Sequence, residues 1–188
     1  MEIVATASKI FGETKTLIDV VRNTDGKGTK LAVCENGKVT YPKGYRGPDG
    51  NLYLPPQGNM EVPTILQLAR RAEEYDGITS LFDEVFGFIT EYIDMDEEFA
   101  TICVLYILMT YVHEKFDAIP YLRVVGDAGS GKSTLTRTLS QLCYRGAEVS
   151  GCVTVAVIFR IVDFYGPTLT IDETDFADQK DSSELVKL

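Results

Sequence analysis

The sequence has few of the residues from which metal centres are built. Its 188 residues include a single histidine, His113, and four cysteines without C-x-x-C spacing: Cys34, Cys103, Cys143 and Cys152. A zinc site needs clustered Cys and His ligands, and this scatter excludes one. We interpret the cysteines as reduced, mostly buried thiols, and His113 as a residue near the end of a helix.

The sequence also lacks the segments that direct a chain to or across a membrane. Met1 is followed by Glu2 and a mixed segment, without the basic start and apolar core of a signal peptide. The longest apolar stretch, residues 99–112, is interrupted by two threonines and is shorter than the about 20 residues that span a bilayer. These absences predict a cytoplasmic protein with no membrane partner.

Basic residues are outnumbered. The chain has 18 Lys and Arg against 28 Asp and Glu, a formal net charge of -10. Nonspecific attraction to nucleic acid needs a basic surface, so any DNA contact must be local or must be made by parts outside this chain. The hydrophobic fraction of 45% and the charged fraction of 24% are typical of globular domains.

One segment carries a specific chemical pattern. Gly126, Gly131, Lys132 and Ser133 have the spacing G-x-x-x-x-G-K-[ST] of a phosphate-binding loop. Glycines allow the backbone N–H groups to close around a phosphate, the lysine reaches its oxygens and the Ser133 hydroxyl can bind Mg²⁺. The alternative is a flexible Gly-Ser turn. The predicted nucleotide-binding residues are Gly126, Asp127, Ala128, Gly129, Ser130, Gly131, Lys132, Ser133 and Thr134.

The residues around this loop fit the motif. A strand is predicted to end at Val124 and Val125, and a helix is predicted over 135–142, which is the context that a phosphate-binding loop needs. Downstream, a short strand near 147–150 and a helix near 153–164 precede a β-rich run at 168–171.

The acidic pair Asp172-Glu173 stands at the carboxyl end of that last run, where ligands bind in open parallel sheets. With the loop, it predicts that Asp172 holds Mg²⁺ together with Ser133, and that Glu173 polarises the attacking water. Lys132 and Glu173 are thus the predicted catalytic residues. The alternative is an ordinary acidic strand end.

The preceding residues divide into two predicted parts. Residues 1–58 predict a small β-rich unit, with strands at 15–21, 30–34 and 51–54 and a hairpin turn at 35–38. Residues 59–118 predict a helical module, and 119–188 the first part of the nucleotide-binding core. The module's helices are predicted at 64–75, at 80–93 and from the N-cap Asp96 through 99–112.

The two motifs resemble those of the P-loop NTPase superfamily, in the division that hydrolyses ATP with an additional glutamate. The stretches 110–116, 156–160 and 167–173 are similar to ATPase domains of phage and mobile-element replication proteins of the primase-helicase type. The resemblance covers about residues 96–175. It implies ATP and Mg²⁺ as cofactors, a helicase-like motor in DNA replication or transfer, and a homo-oligomeric ring in the full-length protein.

The implied fold is α/β, an incomplete P-loop NTPase parallel sheet with flanking helices. In this division a later strand, usually with a polar sensor residue, lies between the loop strand and the Asp-Glu strand. Because the sequence ends at Leu188, 15 residues after Glu173, we expect a fragment or a chain completed by another. The alternative functions are a nucleotide-binding switch or assembly scaffold, and a small-molecule kinase, which Glu173 disfavours.

Overall fold

The computed structural model describes residues 2–56, 65–149 and 155–171. The described residues form a mixed α/β structure with nine strands and four α-helices. The chain divides into two compact units, one made of Met1–Glu73 with Phe159–Gly166, the other of Glu74–Ile158 with Pro167–Leu188. The boundaries at 58 and 118 stay predictions. None of the described helices has the length and hydropathy needed to cross a bilayer.

The first unit contains two sheets. The strands are β1 (Ile3–Ala5), β2 (Ser8–Phe11), β3 (Thr16–Arg22), β4 (Thr29–Glu35), β5 (Lys38–Thr40), β6 (Tyr45–Arg46) and β7 (Leu52–Leu54). Strands β2-β3-β4-β5 form an antiparallel sheet, and β1-β7-β6 form a smaller one in which β1 and β7 are parallel. Ile18, Leu31, Val33 and Tyr53 make a buried core cluster. The predicted strands are confirmed.

The predicted turn between β4 and β5 is also confirmed. Glu35 pairs with Lys38, and the two residues between them, Asn36 and Gly37, have φ angles of 51° and 78°. Positive φ at both central residues is the requirement of a type I′ hairpin turn, which Asn-Gly satisfies at little cost.

The helix predicted over 64–75 is wrong for its described part, since residues 65–75 contain no helix. Hydrogen bonds to the sheet take the place of helical ones. The Arg22 backbone N–H donates to the Ala69 carbonyl at 2.9 Å, and the Arg22 guanidinium donates to the Leu66 carbonyl at 3.1 Å. The Ala72 N–H donates to the Tyr41 hydroxyl at 2.8 Å. Tertiary contacts here override a helical spacing of apolar residues.

The second unit is built mainly from helices. They are α1 (Ile78–Tyr92), α2 (Glu97–Thr110) and α3 (Lys132–Leu142), with a short 3-10 helix at His113–Lys115. Strands β8 (Ala147–Val149) and β9 (Leu169–Ile171) pair in parallel, and α4 (Val155–Tyr165), which lies between them in sequence, is divided between the two units. The predicted elements at 80–93, 96–112, 135–142, 147–150, 153–164 and 168–171 are confirmed within a few residues, as far as the structure describes them.

The core of this unit joins three helices. Its buried residues are Ile89, Cys103, Val104, Ile107, Leu135, Leu139 and Cys143. The Thr110 hydroxyl, itself buried, donates to the Ile107 carbonyl at 2.6 Å and accepts from the Tyr144 N–H at 2.9 Å, so it ties the end of α2 to the end of α3. His113 lies just beyond α2, with Nδ1 2.9 Å from the Thr110 carbonyl oxygen.

The strand predicted to end at Val124 and Val125 is wrong. Residues 116–131, all in the described part of the chain, contain no strand. The segment keeps a strand-like alternation, because Leu122 and Val124 pack against the helical core while Tyr121 and Val125 are 88% and 78% exposed. A strand also needs a neighbour to pair with, and the parallel pair β8-β9 does not include this segment.

Gly146 should be intolerant of any side chain. A Cβ at this position would collide with the Ser140 carbonyl oxygen at the end of α3. We predict that Gly146→Ala lowers the free energy of unfolding by about 2 kcal/mol or more, because backbone must move to admit the methyl group. Urea denaturation measures this loss.

Gly87→Ala is the matched control, since Gly87 lies on the exposed side of α1 with open space at the Cβ position. It should leave stability unchanged or raise it by up to about 1 kcal/mol through helix propensity. Equal effects of the two changes would contradict the close approach at Gly146.

The thiol of Cys143 should make stability depend on pH. Burial raises its pKa from 9.0 to about 11. As pH rises above 9 the unfolded chain loses this proton while the folded one retains it, so stability falls between about pH 9 and 11, by at most about 3 kcal/mol. We predict a smaller decline over this range for Cys143→Ala in urea denaturation at pH 7, 9 and 10. Parallel profiles would contradict the assignment.

Candidate phosphate-binding site

The loop with the phosphate-binding pattern leads directly into α3. Gly131 is the N-cap, in the left-handed region with φ 83°, and Gly129 has φ 80°. Side chains with a Cβ disfavour such angles, which explains glycine at both positions. The Leu135 N–H donates to the Gly131 carbonyl at 2.9 Å, so the first helical turn closes on the loop.

Lys132 folds back over the loop that precedes it. Its Nζ donates to the Gly126 carbonyl at 2.7 Å and to the Asp127 carbonyl at 2.5 Å. The Ser130 N–H donates to the same Asp127 carbonyl at 3.2 Å. The ammonium group therefore lies against a curled backbone rather than in open solvent.

Gly126 and Ser130 approach each other across the loop. A Cβ on Gly126 would lie 2.8 Å from the Ser130 Oγ, closer than real contacts allow. Because Ser130 Oγ is the end of a rotatable, exposed side chain, a methyl group at 126 would displace that hydroxyl and not backbone. This distance and the two lysine contacts show that residues 126–132 form a compact turn.

The loop is open to a ligand. Residues 126–131 are exposed, as are Ser133 and Thr134, while Lys132 is half-buried. Residues 126–134 contain two charged side chains, Asp127 and Lys132, and their formal charges cancel. Attraction of a phosphate therefore depends on the lysine, the backbone N–H groups and the positive end of the α3 dipole, each acting at short range.

Core packing holds α3 in place. Leu135 and Leu139 are buried among residues of α1 and α2, and α3 also packs against both β8 and β9. An exposed ion pair, Arg137 Nε to Glu148 Oε1 at 3.6 Å, adds a link from α3 to β8. Sequence reasoning missed this pair, because its members belong to separate elements and neither lies in a motif.

The structure brings the nine predicted nucleotide-binding residues into one turn and the helix start that follows. The predicted Asp172 and Glu173 lie outside the described residues. Strand β9 ends at Ile171, the residue before Asp172, and belongs to the same unit as α3. Of the predicted pair of Mg²⁺ ligands, the described one is Ser133, an exposed hydroxyl in the first turn of α3.

The donor types fit the cation. Mg²⁺ prefers hard oxygen ligands, keeps several waters and is usually bound by one or two carboxylates with substrate phosphates. A hydroxyl with one carboxylate satisfies that preference. Within residues 2–56, 65–149 and 155–171, no group of three or more His, Cys, Asp or Glu side chains could hold a metal ion by itself.

Comparison of the chain with protein-family models, with curated proteins and with solved structures gave no match.

Proposed function

We propose that this chain binds ATP through residues 126–134 and hydrolyses it with Mg²⁺ and Glu173. The observation that carries the proposal is the position of Lys132, whose Nζ contacts the carbonyls of Gly126 and Asp127 within a glycine loop at the start of α3. A flexible Gly-Ser turn with a solvated lysine would not require these contacts. They support a loop shaped around a cationic centre.

Each residue has a defined role in this proposal. Lys132 contacts the β- and γ-phosphate oxygens, and the backbone from Gly126 to Gly131 donates N–H groups to the phosphates. Ser133 and Asp172 would hold Mg²⁺, and the ion would neutralise charge on the phosphates. Glu173 accepts a proton from the attacking water.

The parallel pairing of β8 with β9 supports a finer fold proposal. We infer that β8 and β9 belong to a P-loop NTPase sheet. In that sheet β9, which precedes Asp172, does not lie next to residues 121–125, which lead into the loop. Residues 121–125 form no strand, so the fold proposal rests on the β8-β9 pair alone. The place of the chain in a ring-forming DNA replication or transfer motor rests on sequence resemblance, and with a net charge of -10 any DNA contact must be local or must be made by parts outside this chain.

Removal of the Lys132 ammonium should abolish most nucleotide binding. We predict that Lys132→Ala weakens the affinity for Mg²⁺-ATP at least tenfold, since a charge-assisted contact to phosphate is lost. Titration calorimetry measures the dissociation constants. Lys115→Ala, which removes an exposed lysine of the same unit outside the loop, should change affinity less than about twofold. Equal affinities of wild type and Lys132→Ala would contradict the proposed site.

Loss of the Glu173 carboxylate should separate binding from hydrolysis. We predict that Glu173→Gln binds ATP normally but that its rate of phosphate release falls by a factor of about 100 or more, because the amide cannot accept the proton from water. A malachite-green phosphate assay measures the rates in the presence of Mg²⁺. Equal, measurable rates in both proteins would contradict a catalytic Glu173. ATP binding without phosphate release by wild type would favour a switch or scaffold.

A further inference from the structure

The turn between β4 and β5 exposes two neighbouring groups that can react with each other. Of the four asparagines in the sequence, Asn36 alone is followed by a glycine. Asn36 and Gly37 are both exposed, with φ angles of 51° and 78° at the tip of the hairpin. Nothing lies within 4 Å of the Cβ position at Gly37. The backbone nitrogen of Gly37 is therefore accessible to a neighbouring group.

The reacting groups of this pair are the Asn36 side-chain amide and the Gly37 nitrogen. Within the described part of the chain, neither group has a hydrogen-bond partner. A bond between the Gly37 nitrogen and Asn36 Cγ would close a five-membered ring, which consists of that nitrogen and four carbons of Asn36. Intramolecular attack through so short a tether has a high effective concentration.

The two other described asparagines are restrained by their surroundings. Asn23 Nδ2 donates to the Lys27 carbonyl at 2.7 Å, and the residue that follows Asn23 is β-branched, which shields its nitrogen. Asn51 Nδ2 donates to Asp49 Oδ2 at 3.2 Å, and Asn51 Oδ1 accepts from the Glu2 N–H at 3.1 Å. The backbone N–H that follows Asn51 donates to the Glu2 carbonyl at 2.9 Å. Asn36 is thus the described asparagine with the fewest restraints.

Ring closure requires the tip of the hairpin to open, because the dihedral angles of Asn36 must change before Gly37 can reach Cγ. The strand beyond the tip, β5, has three residues, and it lies at the end of its sheet, where it pairs with β4. Short elements at the periphery of a fold open locally at a small fraction of the free energy of global unfolding. The reactive form is therefore reached by separation of the Glu35–Lys38 pair beside the turn.

We propose that Asn36 is a site of spontaneous covalent modification, at which ring closure with Gly37 produces aspartate and isoaspartate. The Gly37 nitrogen loses its proton and bonds to Asn36 Cγ, while the bond from Cγ to Nδ2 breaks and ammonia leaves. Water then opens the cyclic imide at one of its two carbonyl carbons. Attack at Cγ gives aspartate, and attack at the main-chain carbonyl carbon gives isoaspartate. Water is the co-reactant, and no atom is oxidised or reduced.

Isoaspartate changes the length of the turn. The main chain then runs through the former side chain, so an additional backbone carbon separates Glu35 from Lys38. Because a type I′ turn joins its strands through two residues of fixed geometry, the Glu35–Lys38 pair is lost and β5 separates from β4. The new carboxylate also lies next to Glu35, whose Oε1 accepts from the Tyr45 hydroxyl at 2.6 Å, and like charges repel. Modification thereby turns the covered edge of β4 into an open one.

Peptide mass mapping of the purified chain, incubated for several weeks in mildly alkaline buffer at physiological temperature, tests the modification. We expect a mass gain of about 1 Da at Asn36, since oxygen replaces an NH group. The gain should accumulate at least about tenfold faster at Asn36 than at Asn23 or Asn51. Electron-transfer fragmentation distinguishes isoaspartate from aspartate. Asn36→Gly is the matched control, because Gly-Gly also suits a type I′ turn, and its peptide should gain no mass.

Amide hydrogen exchange measures the separation of β5. We expect exchange within β5 to be at least about tenfold faster in the isoaspartate form than in fresh protein, and to stay unchanged in aged Asn36→Gly. Asn36→Asp adds the charge without the extra carbon and should accelerate exchange less. The absence of a mass gain at Asn36, or an equal gain at Asn51, would overturn the proposed site. Unchanged exchange in the isoaspartate form, or equal acceleration by Asn36→Asp, would overturn the role of turn length.

Discussion

The anchoring of α3 in the helical core is the constraint on which the second unit depends. Leu135 and Leu139 are buried with Cys103, Val104 and Ile107 of α2, and the Thr110 hydroxyl fixes the chain where α3 ends. Because the loop at 126–131 ends in the N-cap of this helix, packing far from the loop sets the direction in which Lys132 leaves the backbone. Packed cores transmit such constraints because their side chains interdigitate closely.

An acidic chain can bind a triphosphate only if the attraction is local. At physiological salt, exposed charges act over about 8 Å, so the overall charge of -10 is largely screened from the loop. Groups in direct contact are screened far less. The Lys132 ammonium, held beside the loop, and the start of α3 supply positive potential where a phosphate would lie.

Local sequence signals predicted most of the elements. The Asn36-Gly37 turn, the strands beside it and the helices α1 and α2 follow from spacing and turn chemistry, because short-range interactions decide them. The two wrong secondary-structure predictions concern segments whose structure depends on residues distant in sequence. In place of the helix predicted over 64–75, the described residues accept hydrogen bonds from Arg22 and donate one to the Tyr41 hydroxyl, both more than 30 residues earlier. The strand predicted at Val124 and Val125 had the correct side-chain alternation, but pairing depends on a neighbour that local sequence does not specify.

The candidate site was similarly predictable in part. Gly126, Gly131, Lys132 and Ser133 were identified by spacing alone, and the structure adds the contacts that spacing cannot give, from Lys132 to the carbonyls of Gly126 and Asp127. Those contacts depend on the loop's dihedral angles and on the rotamer of the lysine. Binding chemistry at the loop remains the central claim of this account.

Backbone NMR tests that claim most directly. In ¹⁵N-labelled protein titrated with ATP and Mg²⁺, the amide resonances from Gly126 to Thr134 should change their chemical shifts in a saturable way. Inorganic triphosphate should produce saturable changes at the same amides, whereas adenosine should produce none. Phosphate contacts act on these amides themselves, so their response should exceed that of other residues. An absence of shifts at these amides under saturating ATP, or an equal response to adenosine, would contradict the account.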